Sequence, residues 1–411
     1  MMKKTFLTIS MTMVSLLSYA ASAPDTKAMA GDMPDTLAML GGTPADAPLL
    51  RQWEQQAAPV RMHAWQYLTA RGGQTVGIAP FKAERRQLQQ LATQLLPQLQ
   101  DDTPFAHLMR LKMDAELMAS ALCYVQNHYD AVDSIKLTTD EERRADEVFQ
   151  SADLLRLPFA ADMLVAYVNH KAATAPATLR SARRDTSLAK NPAPAALTPE
   201  STDTIDYAAR AALLPTAPLQ AVYLCEMARR QHYYEKYLLV RQAMADSLLT
   251  PAVVAELQAV EQELAWSKPG QQAIDFKGET LDGGELSLSQ LKGKVVVIDA
   301  WATWCAPCLR LMPAVKELER ELNSPDLVFL SVCIGVSVEK DLWHKLCAKH
   351  DLHGNVIFAD GWTRGFARDY HITGVPRFMV IDRQGRVVSY AAPSPKYAAL
   401  KTLIENTLKI Y

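Results

Sequence analysis

The sequence lacks most of the features that assign a protein to a class at once. Its 411 residues include only 6 cysteines, too few for a disulfide scaffold of this size. The net charge is -2 and no long basic run occurs, so the charge balance gives no indication of nucleic-acid binding. No internal repeat is evident. With 49% hydrophobic and 21% charged residues, the chain has an ordinary globular composition, and its length argues for two domains.

Residues 1–23 have the layout of a cleavable secretory signal peptide. Lys3 and Lys4 form a basic start, residues 5–20 are apolar to small, and residues 20–23 supply small side chains for cleavage. A membrane anchor is the alternative, but the apolar stretch is shorter than the roughly 20 residues of a spanning helix. We therefore expect a mature chain without a membrane span in an oxidising compartment, the periplasm.

Residues 24–266 are predicted to form a mostly α-helical domain. Apolar side chains recur at helical spacing in residues 81–100, 104–126, 218–249 and 250–266. Thr250 is suited to cap the last of these helices, with Pro251 in its first turn. No motif with chemistry occurs in this region.

Residues 172–204 are rich in Ala, Pro, Ser and Thr, which predicts a long loop within the helical domain. Arg180, Arg183 and Arg184 in this loop could form a partner patch, although a solvated loop explains them more simply.

From residue 267 to 411, short strands alternate with helices, which predicts an α/β domain whose sheet has an antiparallel edge. Asp282-Gly283 is typical of a hairpin turn. The apolar runs predict buried strands, and the periodic segments predict helices. The predicted elements after the first hairpin are a strand at 294–301, a helix at 306–322, a strand at 327–335, a helix at 338–350, a strand at 355–360, a hairpin turning at 383–385 and a final helix.

"WATWCAPC" places Cys305 after a buried strand and Cys308 in the first turn of a helix. The N–H groups and dipole of a helix start stabilise a thiolate, so we expect a depressed pKa for Cys305. Trp301 and Trp304 are expected to give the pair an apolar surround. A redox dithiol is the favoured interpretation, because a ring of this size contributes little as a structural staple.

Metal binding is the alternative for this pair. Structural zinc needs four ligands, whereas one CxxC supplies two. Cys347, His350 and His353 offer further ligands at regular spacing, but incidental histidines on a helix and loop explain that pattern better. We expect no metal.

The segments "VVVIDAWATWCAPC", "FKGETLDGGELSLSQLKGK" and "GVPRFMVID" together resemble thioredoxin-fold proteins. They are most similar to secreted TlpA/ResA-type thiol–disulfide oxidoreductases of bacterial envelopes. The resemblance covers residues 269–411, a third of the chain. It implies a cis bond between Val375 and Pro376 that faces the dithiol. From the residues alone, a trans proline opening an edge strand remains equally open.

The resemblance also implies roles for the site residues. Cys305 attacks a substrate disulfide, Cys308 resolves the mixed disulfide, and Trp304, Val375 and Pro376 contact the substrate. It suggests disulfide-bearing envelope proteins or apocytochrome c as substrates and a membrane electron donor. No nucleotide or metal cofactor is implied.

Asp299 lies inside the buried run "VVVIDAW". Burial of a carboxylate without a partner costs folding free energy, so the neutral form of the side chain is favoured. In thioredoxins an aspartate at this position moves protons to and from the second cysteine, and the resemblance gives this role to Asp299. The alternative is an aspartate that accepts hydrogen bonds from the backbone at a strand end.

Leu311 stands where TlpA/ResA-type relatives often have glutamate. It belongs to a helical apolar face, so we expect it to pack in the core, and the glutamate's proton handling does not carry over. This departure argues against a close functional match to the cytochrome-maturation members. The other members of the face are Cys308, Met312, Val315, Leu318 and Leu322.

The other four cysteines are interpreted as structural. Cys333 and Cys347 are predicted to be packed thiols, while a disulfide between Cys123 and Cys225 is left open. The favoured function is a disulfide reductase. A disulfide oxidant or isomerase, and a docking module whose thioredoxin-like domain is secondary, are the alternatives.

Overall fold

The computed structural model describes residues 33–65, 76–99, 103–127, 135–174, 206–354 and 356–410. The predicted signal peptide lies outside these ranges, as do residues 175–204 of the loop predicted over 172–204, with its three arginines. Residues 172–174 are helical, so the start of that predicted loop is wrong. The described residues form two compact units. One contains the residues up to 174 with 206–230 and 240–258, and the other contains 231–239 with 259–410.

The chain before residue 264 is largely helical within the described ranges, as predicted. Its helices are α1 Met33–Met39, α2 Ala47–Trp65, α3 Ile78–Leu95, α4 Pro104–Asn127, α5 Thr139–Phe149, α6 Ala160–Thr174, α7 Tyr207–Ala211, α8 Ala217–Arg229, α9 Tyr234–Gln242 and α10 Pro251–Glu263. The helix predicted from the leucine spacing in α3 is confirmed, and Leu88, Leu91 and Leu95 are all buried on its inner face. At the start of α10, the Val253 N–H donates to Thr250 Oγ1 at 3.3 Å, which confirms the predicted cap.

The single long helix expected over residues 218–249 is wrong. The chain forms α8 and α9 instead, with a break at residues 230–233. The residues after the break, 231–239, pack in the same compact unit as the sheet described below, where Glu235 accepts a hydrogen bond from the Tyr390 N–H at 2.7 Å. Tertiary contacts therefore override the helical periodicity of this stretch.

The C-terminal unit is built on a seven-stranded mixed sheet. Its strands are β1 Lys277–Thr280, β2 Glu285–Ser287, β3 Val295–Trp301, β4 Leu327–Gly335, β5 Val356–Asp360, β6 Arg377–Ile381 and β7 Val387–Ala392, in the order β2-β1-β5-β4-β3-β6-β7. Strands β3, β4 and β5 run parallel, whereas β6 pairs antiparallel with β3 and β7 with β6. The predicted hairpins at 282–283 and 383–385, and the antiparallel edge, are confirmed.

Strand β3 lies inside the sheet, between β4 and β6, and all seven of its residues are buried. Its side chains alternate between two faces. Val296, Ile298 and Ala300 face one core with Phe366 and Tyr370. Helix α13 Gly365–Asp369 lies on this first face. The other face of β3 packs in two clusters with three helices, α11 Ala306–Glu321, α12 Lys340–Lys349 and α14 Ala398–Ile410. This arrangement places the carboxyl end of β3 beside the start of α11.

Candidate active site

Cys305 and Cys308 lie where β3 gives way to α11. Cys305 is the N-cap residue of α11, and the Cys308 N–H points at its Sγ at 3.2 Å. The two cysteines form a disulfide in this structure, and both are almost fully buried. Pro307 fits the first turn of the helix, where a missing N–H has no intrahelical partner to lose. The junction therefore offers a helix N-terminus to whichever sulfur carries negative charge.

Val375 and Pro376 are joined by a cis peptide bond, as the resemblance implies. The Val375 carbonyl oxygen lies 3.7 Å from Cys305 Sγ. The fold thus brings together two segments that are far apart in the sequence, the dithiol and the residues that open β6. A peptide that reached Cys305 would also meet this backbone.

Trp301 packs in the same apolar cluster as Cys305 and Cys308, as expected, whereas Trp304 is not part of that cluster. Trp301 is fully buried and its Nε1 donates to Ser331 Oγ at 2.9 Å, whereas Trp304 is 62% exposed. The reason is strand geometry, because Trp301 ends β3 inside the sheet and Trp304 lies in the turn that follows. The Trp304 ring instead meets Trp362, at 5.7 Å between centroids. Trp362 was missed because it lies in a loop with no motif around it.

Asp299 lies on the same face of β3 as Trp301, the face that α11 covers. Burial raises the pKa of its carboxyl to about 7. Within the described part of the chain, no hydrogen bond or ion pair reaches this carboxyl, so the alternative of a backbone-bonded aspartate is not supported. A carboxyl with a pKa of about 7, on the face that α11 covers, is suited to proton exchange.

Leu311 is half-buried, which corrects the expectation that it fills the core. Cys308 and Met312, four residues apart, take the inward positions of α11 and are 3% and 2% exposed. Leu311 lies one position to the side of that line, at the edge of the packed face. No carboxylate occupies its position, so Asp299 is the acid that the site retains.

Thr303 fixes the turn between β3 and the dithiol. Its Oγ1 donates to Glu339 Oε1 at 3.0 Å, and Glu339 Oε2 accepts the Val336 N–H at 2.7 Å. Sequence analysis missed this link, because Glu339 resembles any acidic residue near a helix start. The turn that carries Trp304 is thereby tied to the segment between β4 and α12.

The remaining four cysteines are free and buried. Cys333 and Cys347 pack in the same cluster as the disulfide, as predicted, and burial raises the pKa of Cys347 to about 12. Cys123 and Cys225 do not pair with each other, and burial raises the pKa of Cys225 to about 12. These thiols are poor nucleophiles at neutral pH.

The described residues contain no group of three or more His, Cys, Asp or Glu side chains arranged to hold a metal ion. In the region weighed as a metal site, Cys347 is buried and His353 pairs with Asp351.

Residues 268–403 match the family model described as Redoxin. Together with the sheet order and the dithiol at the β3–α11 junction, this match makes the C-terminal third a redoxin domain with a thioredoxin-like fold. The match does not extend to the helical region that precedes residue 268.

Two curated relatives resemble the same part of the chain. The thioredoxin-like protein YneN of Bacillus subtilis (strain 168) is 32% identical over 117 residues, which are 28% of this chain and 66% of that protein. The thiol-disulfide oxidoreductase ResA of the same organism is 28% identical over 119 residues, 29% of this chain and 64% of ResA. The chain thus spans slightly less than two thirds of the length of these relatives.

Among solved structures, the thioredoxin domain of a thiol-disulfide oxidoreductase from Bacteroides vulgatus is 21% identical. The alignment covers 34% of this chain and 96% of that domain, with a TM-score of 0.31.

Proposed function

We propose that this protein is a thiol–disulfide oxidoreductase that reduces disulfides of other proteins in the bacterial envelope. The observation that carries the proposal is the Cys305–Cys308 pair at the N-terminus of α11, with the Val375 carbonyl 3.7 Å from Cys305 Sγ. The redoxin match and the resemblance to ResA support the same class of chemistry.

The reaction starts from the reduced dithiol. The Cys305 thiolate, stabilised by the Cys308 N–H and the helix dipole, attacks one sulfur of a substrate disulfide. A mixed disulfide forms between Cys305 and that sulfur, and the other substrate sulfur leaves as a thiolate and takes up a proton.

Cys308 completes the exchange. Its thiol passes a proton to Asp299, directly or through water, and the resulting thiolate attacks Cys305 Sγ. The mixed disulfide breaks, the Cys305–Cys308 disulfide forms, and the second substrate sulfur leaves as a thiolate that takes up a proton. Two electrons have passed from the protein dithiol to the substrate. A second dithiol, that of a membrane electron donor, must return them to the protein by the reverse exchange.

The substrate is positioned by backbone and by aromatic rings. An extended substrate segment can pair with the backbone at Val375 and Pro376, in the manner of strand addition. Trp304 offers an exposed apolar ring, which meets the half-buried ring of Trp362. Both contacts tolerate many sequences, which suits a protein that acts on several partners.

The location outside the cytoplasm rests on the signal-like residues 1–23, which the structure does not describe. None of the helices in the described ranges has the length and apolar character that a bilayer crossing requires. Misoxidised envelope proteins and apocytochrome c are the proposed substrates, although Leu311 argues against the second.

The proposal is tested by reduction of insulin disulfides with dithiothreitol as electron donor. Wild type should accelerate precipitation of the insulin chains, Cys305→Ser should abolish the acceleration, and Cys123→Ala should keep it because that buried free thiol belongs to the other compact unit. An inactive wild-type protein that binds envelope proteins tightly would instead support the docking alternative. Preferential oxidation of a reduced, unfolded protein by the disulfide form would support the oxidant alternative.

A further inference from the structure

Exposed apolar side chains are concentrated in the segment that joins β4 to α12. Nine large hydrophobic side chains are exposed within the described ranges, and three of them are Val336, Val338 and Leu342, with exposed fractions of 46%, 88% and 47%. Val338 and Leu342 are four residues apart in a helical segment, a spacing that places side chains on one side. Single exposed apolar residues are ordinary, whereas clusters of them are typical of interaction sites. These three residues form the 336–342 patch.

The topology of the sheet places the 336–342 patch at the same edge as the dithiol. Strands β3 and β4 are parallel neighbours, and Trp301 pairs with Cys333 near their carboxyl ends. The dithiol follows β3 and the patch follows β4, at the edge of a sheet where α/β proteins bind their ligands. Strand β6 pairs with the other side of β3. The patch and the Val375–Pro376 backbone that opens β6 therefore flank the dithiol from opposite sides.

A hydrogen bond ties the 336–342 patch to the turn that precedes Cys305. Thr303 Oγ1 donates to Glu339 Oε1 at 3.0 Å, and Glu339 directly follows Val338. The path through this bond limits the distance between the Cα atoms of Cys305 and Val338 to about 22 Å. About seven residues of extended chain span that distance. A polypeptide bonded to Cys305 can therefore reach the patch with residues near its own cysteine.

The charges around the 336–342 patch balance one another. Lys340 pairs with Glu279, and both carboxylate oxygens of Glu339 accept hydrogen bonds. The exposed side chains of Asp341 and Lys345 carry opposite charges. An apolar occupant is therefore favoured over a charged one.

We propose that the 336–342 patch binds an apolar segment of the disulfide-bearing substrate, within about seven residues of the cysteine that Cys305 attacks. The substrate is the occupant because the mixed disulfide holds it within reach of the patch in every exchange. Contact with the aliphatic side chains removes apolar surface from water, which stabilises the complex. Apolar segments are exposed in unfolded chains and buried in native ones, so the patch favours misoxidised proteins that have not folded. The proposal rests on the proposed function and names its substrate class.

The test uses disulfide-linked peptides that carry either a Leu-Val pair or a Ser-Thr pair. The pair is moved one position at a time away from the cysteine, on either side, and kcat/KM for reduction by the reduced full-length protein is measured. At the best position, wild type should prefer the Leu-Val peptide by about tenfold, the effect of burying part of two aliphatic side chains. This position should lie within about seven residues of the cysteine, because a longer linker lowers the effective concentration of the pair at the patch. The preference should persist at high salt, since it does not depend on charge.

Variants separate a local role from general damage. Val338→Ser and Leu342→Ser should each bring the preference close to one through KM, while Val338→Leu should keep it. Val338→Lys should make a peptide with Glu at the best position a better substrate than the Ser-Thr peptide, a gain that a damaged fold could not produce. Ile410→Ser, the matched loss of an exposed aliphatic side chain at the end of α14, should leave the preference as in wild type.

The outcomes distinguish this proposal from the one that it rests on. Equal reduction of the Leu-Val and Ser-Thr peptides at every position, in wild type and variants alike, would overturn the patch as a substrate site while the oxidoreductase activity stands. A dimer in sedimentation that Leu342→Ser dissociates without a change in the preference would also overturn it, in favour of a contact between two copies of the chain. Failure to reduce any peptide or insulin would overturn both proposals.

Discussion

At the residue scale, Asp299 differs most in chemistry from the residues on either side of it in the sequence. It is an acid within an apolar strand, it accepts no hydrogen bond from the described residues, and burial raises its pKa to about 7. A buried acid without a partner lowers the stability of the folded protein when it ionises, but it can exchange protons near neutral pH. Two separate measurements follow from that state.

The first concerns rate. We expect Asp299→Asn to slow disulfide reduction near neutral pH, because Cys308 loses the group that accepts its proton. A loss of about 10- to 100-fold is expected, at the lower end of what general base catalysis contributes. The rate of insulin reduction by wild type and variant should be measured from pH 6 to 9. Identical pH profiles would show that Asp299 plays no part in the proton transfer.

The second concerns stability. The folded-state pKa of Asp299 lies above its ordinary value of 3.8, so the folded state is favoured below that value and loses stability as pH rises through about 7. Each pKa unit corresponds to about 1.4 kcal/mol, so the ionised carboxyl costs up to about 4 kcal/mol. Asp299→Asn should therefore unfold at higher urea concentration than wild type at pH 8.5, and the gap should narrow at pH 5. A gap independent of pH would contradict this assignment.

At the element scale, one side chain from a distant part of the chain binds three consecutive residues of the edge strand β7. Glu235 Oε1 accepts the N–H of Tyr390 at 2.7 Å and of Ala391 at 3.4 Å, and the Ser389 hydroxyl at 3.0 Å. Burial raises the pKa of Glu235, while the Tyr390 N–H opposes that rise. A carboxylate thus binds this edge at three residues, while the start of the strand exchanges backbone hydrogen bonds with residues 270–271.

Removal of this acceptor should be costly. Glu235→Ala leaves buried N–H groups of β7 without a partner and should lower the free energy of unfolding by about 1–3 kcal/mol. Glu235→Gln keeps an acceptor oxygen and should lose less. Lys236→Ala, a change at the adjacent half-buried position, should stay within about 0.5 kcal/mol of wild type. Urea unfolding at pH 7 measures all three, and an Ala variant as stable as wild type would contradict the role of Glu235.

Elements with a local signal were predictable from the sequence, and contacts between distant segments were not. The apolar run 295–301 and the Asp282-Gly283 turn carry their own structure, so β3 and the β1–β2 hairpin could be predicted. The contact between Glu235 and Tyr390 joins residues 155 apart. The helical periodicity of residues 218–249 gave no sign that the helix would break to allow that contact.

The residues of the candidate site were likewise predictable only where a motif or a resemblance marked them. The dithiol follows from a short motif, and the cis bond at Pro376 from a resemblance. Trp362 and Glu339 reach the turn beside the dithiol through tertiary packing, since each lies in a segment whose local pattern is ordinary. Leu311 was placed too deep because helical spacing identifies a face without showing where that face ends.

At the scale of the whole molecule, the six cysteines separate into one exchanging pair and four inert thiols. Only Cys305 and Cys308 lie at a helix N-terminus, and the other four are buried free thiols. Alkylation under native conditions should label no thiol in the oxidised protein, two after mild reduction and six after reduction in denaturant. Mass spectrometry of the labelled peptides measures this, and a third thiol that reacts as fast as the pair would contradict the division.

The C-terminal compact unit includes a segment from the helical region that the redoxin match does not cover. Residues 231–239 leave the helical region in sequence and join the C-terminal unit in space, with Glu235 on β7 and Tyr233 on Arg377. This segment therefore contributes to the stability of the sheet.

The central claim is that Cys305 and Cys308 form a reducing dithiol, and its most direct test is the reduction potential of that pair. The full-length protein is equilibrated in glutathione buffers of graded ratio, and the oxidised fraction is read from alkylation of the two thiols. The account predicts a two-electron transition near the potential of thioredoxin, about -270 mV. A transition near the potential of strong oxidants, about -120 mV, would contradict the reducing direction. A pair that does not exchange with glutathione would contradict the claim of a redox site.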